Sequence, residues 1–373
     1  MIAPRKDDKM SDKRINKIIA DTFLEVADAL ETGEFGKKPV IGVAVEGSEH
    51  GMENIHEAIR LAENKGYKAL IIEGEDVHKR MEEMLQSGEI DGAVTMHYPF
   101  PIGVSTIGKV ITPGRGREMY IAATTGTSDT DRTTAMVKNA IYGIIAAKAS
   151  GVKNPTVGIA NIDGARQAEK ALLKLKDNGY DIAFGDSARA DGGIVMRGND
   201  LLGGSSDIMV MDALTGNLMM KIFSAYTTGG SYESLGWGYG PGIGKDFDKI
   251  IMIISRASGA PVIAGAIEYA SMLIKNNCLK IAAEEFEKAE KAGLKEILEG
   301  LKTVKKTETT EAVKEPPKEV VTAQIQGIEV MDLEDAVAAL WKAGIYAESG
   351  MGCTGPIVRV SEANKDKSMA ILS

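Results

Sequence analysis

The sequence predicts an α/β protein in which a two-domain, largely parallel sheet with covering helices is followed by a small C-terminal α/β module. Three observations carry this expectation. Short apolar runs alternate with helical patterns from residue 40 to residue 276. Glycine is abundant, with 42 in 373 residues against a usual ~7%, and many glycines in such a chain mark tight turns beside a ligand cleft. A stretch almost free of large apolar residues then separates this alternation from a last structured segment.

Residues 12–32 read as an amphipathic helix, with Ile15, Ile18, Ile19, Val26, Ala29 and Leu30 at helical spacing and Gly33 as its stop. VIGVAV (40–45) is a buried-strand run, 52–65 a helix, ALIIEG (69–74) a strand, and 76–87 a helix closed by Gly88. DGAVTM (91–96) and MYIAAT (119–124) are strands, and 131–150 is a long helix capped by Asp129 or Asp131. TVGIANI (156–162) is a strand, 164–177 a helix, and DIAFG (181–185) and SDIMVMD (206–212) are strands. A helix at 216–226, the strand KIIMIIS (249–255) and a helix at 261–276 complete the alternation. Repeated β–α units imply parallel strands covered by helices. The cleft of such a sheet lies beyond the C-terminal ends of its strands. The loops there are VEGSEHG, MHYPFP, NIDG, DALTGN and SRASG.

A charged helix at 281–302 ends this core, read as 1–302 with two lobes around a cleft. Residues 303–322 are rich in Lys, Glu, Thr and Pro, the composition of a flexible linker. A chain of that length has a root-mean-square reach of roughly 25 Å. The module 323–373 comes next. It contains the strand IQGIEV (325–330), a helix at 332–343 ended by Gly344, the loop ESGMGCTGP, the strand IVRVS (357–361) and a short helix at 362–371.

Bulk properties exclude several classes. A net charge of -9 argues against a nucleic-acid partner. No apolar run approaches the ~20 residues of a membrane span, and the charged start MIAPRKDDKMSDKR is no signal peptide. The two cysteines, Cys278 and Cys353, lie far apart, which fits a reducing cytoplasm better than a disulfide framework. VEGSEHG is not a dinucleotide fingerprint, GPGIGK lacks the spacing and the Ser/Thr of a P-loop, and four isolated histidines give no metal spacing. Neither a cofactor nor a metal is therefore expected.

Four segments resemble the phosphate acyltransferase and phosphotransacetylase family. NPTVGIANI (154–162) looks like that family's strand into the cleft. GNDLLGG (198–204) with DIMVMDALTGNLMMK (207–221) keeps the spacing of Asp212, Gly216, Asn217 and Lys221. GWGYGPGIG (236–244) looks like a Gly-rich cleft loop, and SRASGAP (255–261) matches a Ser-Arg element at Ser255 and Arg256. The resemblance implies an isocitrate-dehydrogenase-like two-domain fold and the interconversion of acyl thioesters and acyl phosphates. It implies phosphate or substrate binding by Asn161, Asp212, Gly216, Asn217, Lys221, Ser255 and Arg256. VEGSEHG departs from the family pattern, which has an Asp and Gly-Gly-Asp there. The ending ESGMGCTGPIVRVSEAN is similar to component C alpha subunits of the clostridial glycine/sarcosine/betaine reductase complex. That likeness covers the whole chain. It implies an oligomeric assembly with a ketoacyl-synthase-III-like beta subunit and a thioredoxin-like selenoprotein, and acetyl phosphate formed from an acetyl thioester and phosphate.

The residues themselves bear on these implications. Cys353 sits in a Gly-flanked loop rather than on an apolar face, where backbone amides and access favour a thiolate, so it is the candidate acyl carrier. Cys278 in KNNCLK reads as a packed residue. Asp212 is either a helix cap or a cleft residue, and Asn217 either turn chemistry or a cleft residue. Lys221 lies one turn beyond Asn217 on the same face. Ser255 and Arg256 directly follow an apolar strand, and an Arg offers phosphate a donor fork. Asn161 ends its strand, while His97 reads as a packed loop residue. Two alternatives stay open: a stand-alone phosphate acyltransferase using carrier-protein or CoA thioesters, and a non-catalytic scaffold for the beta subunit.

Overall fold

The computed structural model describes residues 19, 20, 22, 23, 26, 27, 30, 38–44, 46–190, 192–302, 314–326, 328, 333–352 and 355–372. Cys353, most of the helix expected at 12–32 and the first half of the expected linker lie outside the described residues. Met1–Pro39 forms one unit and Val40–Ser373 another. In the first, Ile19, Ala20, Thr22, Phe23, Val26, Ala27 and Leu30 are helical. Among the described residues the second holds every strand, and it holds the candidate cleft.

The chain runs through β1 (Val40–Ala44), α1 (Gly51–Asn64), β2 (Lys68–Ile72), α2 (Val77–Ser87) and β3 (Gly92–Thr95). Next come β4 (Val104–Ile111), β5 (Glu118–Thr127), α3 (Arg132–Ala149), β6 (Thr156–Ala160) and α4 (Ala165–Asp177). Then follow β7 (Ala183–Phe184), β8 (Val195–Met196), α5 (Gly198–Gly203), β9 (Ile208–Val210) and α6 (Ala213–Ala225). The core closes with β10 (Gly240–Ile243), β11 (Ile251–Ile253), α7 (Ala260–Lys275), α8 (Cys278–Lys291) and α9 (Leu294–Lys302).

These strands form one eleven-stranded sheet in the order β2-β1-β3-β11-β10-β4-β5-β9-β6-β7, with β8 also on β6. One wing, β2-β1-β3-β11, is parallel, and so is the other, β5-β9-β6 with β7 and β8. Between them β11-β10, β10-β4 and β4-β5 pair antiparallel. The antiparallel centre joins the two parallel wings into one continuous sheet.

That centre is absent from the sequence reading, which places no strand at 104–111 or 240–243. The reason for the second is its glycines. Gly240 has φ +92°, and a Cβ there would lie 1.7 Å from the Ile107 carbonyl oxygen, so only glycine lets β10 approach β4. Helix α3 is buried nearly all round, from Met136 to Ala149, which is the mark of a helix inside the core. The Asp131 carboxylate accepts the Thr134 amide at 2.8 Å and caps it. The single charged helix expected at 281–302 is two helices, because Gly293 adopts φ +80° between them.

The tail carries β12 (Ala323–Ile325), α10 (Leu333–Lys342), β13 (Ala347–Gly352), β14 (Gly355–Val360) and α11 (Lys365–Leu372). Its antiparallel sheet, β12-β14-β13, has its own apolar cluster, including Leu333, Leu340, Ile345, Val358 and Val360. The expected loop ESGMGCTGP instead supplies both arms of a hairpin, paired from Ala347 with Val360 to Gly352 with Gly355. Ile102 of the core packs against the tail cluster.

Candidate active site

A cleft of about 640 Å³ opens where the strand ends of both wings meet. Its walls come from residues after β3 (Met96, His97, Tyr98), the end of β5 (Thr124, Thr125, Gly126), α6 (Asn217, Lys221) and the loop after β11 (Ser255, Arg256, Ala257). The tail contributes Met351 and Gly352. The hairpin is held there by the Met351 amide, which donates to the Phe100 carbonyl at 3.1 Å, and by a bridge between Pro101 and Gly350. Cys353 is the next residue along the chain.

Ser255 and Arg256 sit on a loop fixed from two sides. The Glu49 amide donates to the Arg256 carbonyl at 3.0 Å, and the Asn54 side chain donates to the Ser258 carbonyl at 3.1 Å. The loop VEGSEHG, which departs from the acyltransferase pattern, thus clamps the Ser-Arg turn. Among the described residues the Arg256 guanidinium has no ion-pair partner, and the residue is exposed. Lys221 reaches across from α6 to the Ser255 hydroxyl at 3.4 Å and to Glu233 at 3.6 Å. Its ammonium lies 5.7 Å from the centre of the Tyr239 ring.

Beneath these cations lies a buried acceptor. Glu233 is 2% exposed. One of its oxygens accepts from the Tyr239 hydroxyl and the other from the Ser258 hydroxyl, both at 2.8 Å. Ser258 in turn accepts the Ser255 amide at 3.0 Å. The carboxylate therefore ties Tyr239 to the Ser255–Ser258 turn. Burial, followed by Glu233 itself, pushes the Tyr239 phenol far above its ordinary pKa, so it stays a neutral donor. Asn217 is held by a bond from its side-chain amide to the Thr124 carbonyl at 3.1 Å.

The structure brings Asn217, Lys221, Ser255 and Arg256 together, and three other expected residues stand elsewhere. Asp212 caps α6: its carboxylate accepts the Leu214 and Thr215 amides, each at 3.1 Å, and is not in the cleft lining. That cap also occupies first-turn amides of α6 that phosphate would otherwise use. Gly216 packs on β5, where a Cβ would lie 1.7 Å from the Ala123 carbonyl oxygen. Asn161 is exposed, with its amide bonded to the Met196 carbonyl at 2.8 Å.

Sequence reasoning misses two site residues. Glu233 stands in the Gly-rich 229–244 stretch, where nothing marks it as buried. His97 lines the cleft, half-buried, rather than packing away in its loop. Burial, then the neighbouring His78, then Arg256 hold its imidazole below the ordinary histidine pKa. Its position after an apolar strand is the available signal.

A sequence profile described as "Fatty acid synthesis protein" matches residues 32–359. The alpha subunit of component C of the glycine/sarcosine/betaine reductase complex from Peptoclostridium acidaminophilum is 58% identical over 380 residues, which cover 97% of this chain and 98% of that protein. The chain belongs to the fatty acid synthesis protein family, among the component C alpha subunits. The likeness read from ESGMGCTGPIVRVSEAN is thereby borne out, as is the phosphate acyltransferase-like α/β fold with its mostly parallel sheet. Among the described residues no helix is long and apolar enough to cross a membrane.

Proposed function

We propose that this chain forms acetyl phosphate within a glycine reductase complex, by phosphorolysis of an acetyl thioester carried on Cys353. The observation that carries this reading is the shared cleft: Met351 and Gly352, directly before Cys353, line the same space as Arg256, Lys221 and Asn217. Phosphate binds between the Arg256 fork and the Lys221 ammonium. One phosphate oxygen attacks the acetyl carbonyl, the Asn217 amide and backbone amides steady the oxyanion, and the carbon–sulfur bond breaks to release Cys353. No nucleotide takes part. In domain terms, 1–302 is the core, 303–322 a linker, and 323–373 the carrier module. The partners in this reading are a ketoacyl-synthase-III-like beta subunit and a thioredoxin-like selenoprotein, consistent with the relative's name as a complex component.

Incubation of the intact chain with acetyl phosphate tests this. One acetyl group should appear by mass, be removed by hydroxylamine, and be absent from Cys353→Ser. A labelled Cys353→Ser protein would place the nucleophile elsewhere. The family description favours one rival, a stand-alone acyltransferase acting on external thioesters. That rival wins if Cys353→Ser still makes acetyl phosphate from such a thioester.

A further inference from the structure

The proposed reaction has a proton to move. Hydrogen phosphate dianion and acetyl-Cys353 give acetyl phosphate dianion and the free thiol. The new carbon–oxygen bond replaces the carbon–sulfur bond, and the proton of the attacking phosphate ends on sulfur. No external oxidant, reductant or co-reactant is needed. Several groups of the cleft do not suit this transfer. Arg256 and Lys221 are cations that donate and do not accept. Glu233 is buried with both oxygens occupied, and the Tyr239 and Tyr98 hydroxyls are engaged by Glu233 and Glu82.

Resting on the acyl-transfer reading above, we propose that His97 is the proton shuttle of the cleft. It takes the proton from the attacking phosphate and delivers it to the Cys353 sulfur as the carbon–sulfur bond breaks. His97 lines the same cleft as Arg256, Lys221, Met351 and Gly352, and it lies close enough to Arg256 to feel its charge. Its backbone is pinned, because its carbonyl accepts from the His78 ring at 2.7 Å and from the Thr95 hydroxyl at 3.0 Å. Its own ring meets the His78 ring edge to face at 5.7 Å. Among the described residues no hydrogen bond occupies the His97 ring nitrogens, which leaves them free for substrate. The titratable groups facing it are His78 from α2, Arg256, and the other cleft residues Glu49, Tyr98, Lys221 and Tyr239. Burial, His78 and Arg256 keep the ring neutral at neutral pH, so one nitrogen accepts while the other donates.

The test is exchange of labelled phosphate into acetyl phosphate by the full-length chain, which reports both directions of the step. His97→Gln should lose about 100-fold or more of the exchange rate, within the range for a positioned acid–base group, and added imidazole should restore part of it. In wild type the rate should fall only when the pH drops below the ordinary histidine value. His78→Gln removes a neighbour that depresses the His97 pKa, so the acid limb should move to higher pH. Wild-type exchange with an equally active His97→Gln protein overturns the shuttle and leaves the acyl-transfer reading standing. Neither exchange nor acetyl label in wild type overturns both. If His97→Gln does not fold, the His78→Gln profile decides, and an unmoved acid limb overturns the assignment.

Discussion

Arg256 is positioned by its backbone, through the Glu49 amide, while its guanidinium is left without an ion-pair partner among the described residues. Removing that side chain should therefore cost little stability and much phosphate affinity. A charge-assisted bond is worth about 1.5–3 kcal/mol, so Arg256→Ala should raise the phosphate half-saturation concentration roughly 10- to 100-fold. An unchanged half-saturation would remove Arg256 from the site. Gly216 makes the opposite case. Its missing side chain faces a backbone oxygen 1.7 Å from where a Cβ would stand, and that oxygen cannot swing aside. Gly216→Ala should destabilise the fold by about 3 kcal/mol, the upper end for overpacking, and a chemical-denaturation midpoint matching wild type would contradict this. Cys278 is buried, and burial alone pushes its thiol up to about 12, so Cys278→Ser should label with acetyl as wild type does. At this scale the sequence marks Asn217, Lys221, Ser255 and Arg256 but cannot separate Asp212 from them. A carboxylate at a strand's C-terminal end serves a cap and a cleft equally well, and only the geometry of the first helical turn decides.

At the scale of elements, α5 owes its place to Asp200. The side chain is 1% exposed. Burial raises its pKa, but the Arg197 and Ala188 amides and the Ser187 and Ser205 hydroxyls outweigh that and hold it at about 2. The folded-state value is thus below the unfolded one of ~3.9. The stabilisation, about 2 kcal/mol, is fully present above roughly pH 4 and is lost as the pH falls through about 2. Asp200→Asn should lower stability at neutral pH by about that amount and flatten the acid limb of a stability–pH curve. An acid limb as steep as wild type would show that Asp200 is not the group titrating. The strands of both parallel wings are legible as apolar runs because they are buried on both faces. The antiparallel centre is not, since β4 carries Ser105, Thr106 and Lys109 inside the fold, and β10 is built largely from glycine and proline. The hairpin arm β13 is hidden in the same way, because ESGMG reads as turn residues until the partner strand supplies its hydrogen bonds.

On the scale of the whole molecule, the proposed acyl transfer requires the tail and the core to be joined closely enough to react and loosely enough for Cys353 to be loaded by a partner. The tail has its own apolar cluster and its own three-stranded sheet, and it meets the core at Phe100, Pro101 and Ile102, in the cleft through Met351 and Gly352, and through the Thr130 hydroxyl, which donates to Glu334 at 3.4 Å. The segment that joins them, 303–322, has the Lys, Glu, Thr and Pro composition of a linker, and its last residues are anchored on the tail, where Val321 is buried and the Thr322 amide donates to the Val360 carbonyl at 3.0 Å. In the proposed reading, a linker of that length holds its ends at a high effective concentration without fixing them. Limited trypsin treatment should therefore cut first at Lys305 or Lys306 and leave a core fragment ending there. The nicked protein should keep its phosphate site, because Arg256 and Lys221 belong to the core, yet lose phosphate exchange as the tail dilutes away. Exchange should then return as nicked protein is concentrated, since the tail rebinds the cleft as a second molecule. First cleavage inside 40–302, or exchange that survives nicking at any dilution, would contradict a tethered carrier and favour a tail fixed permanently in the cleft.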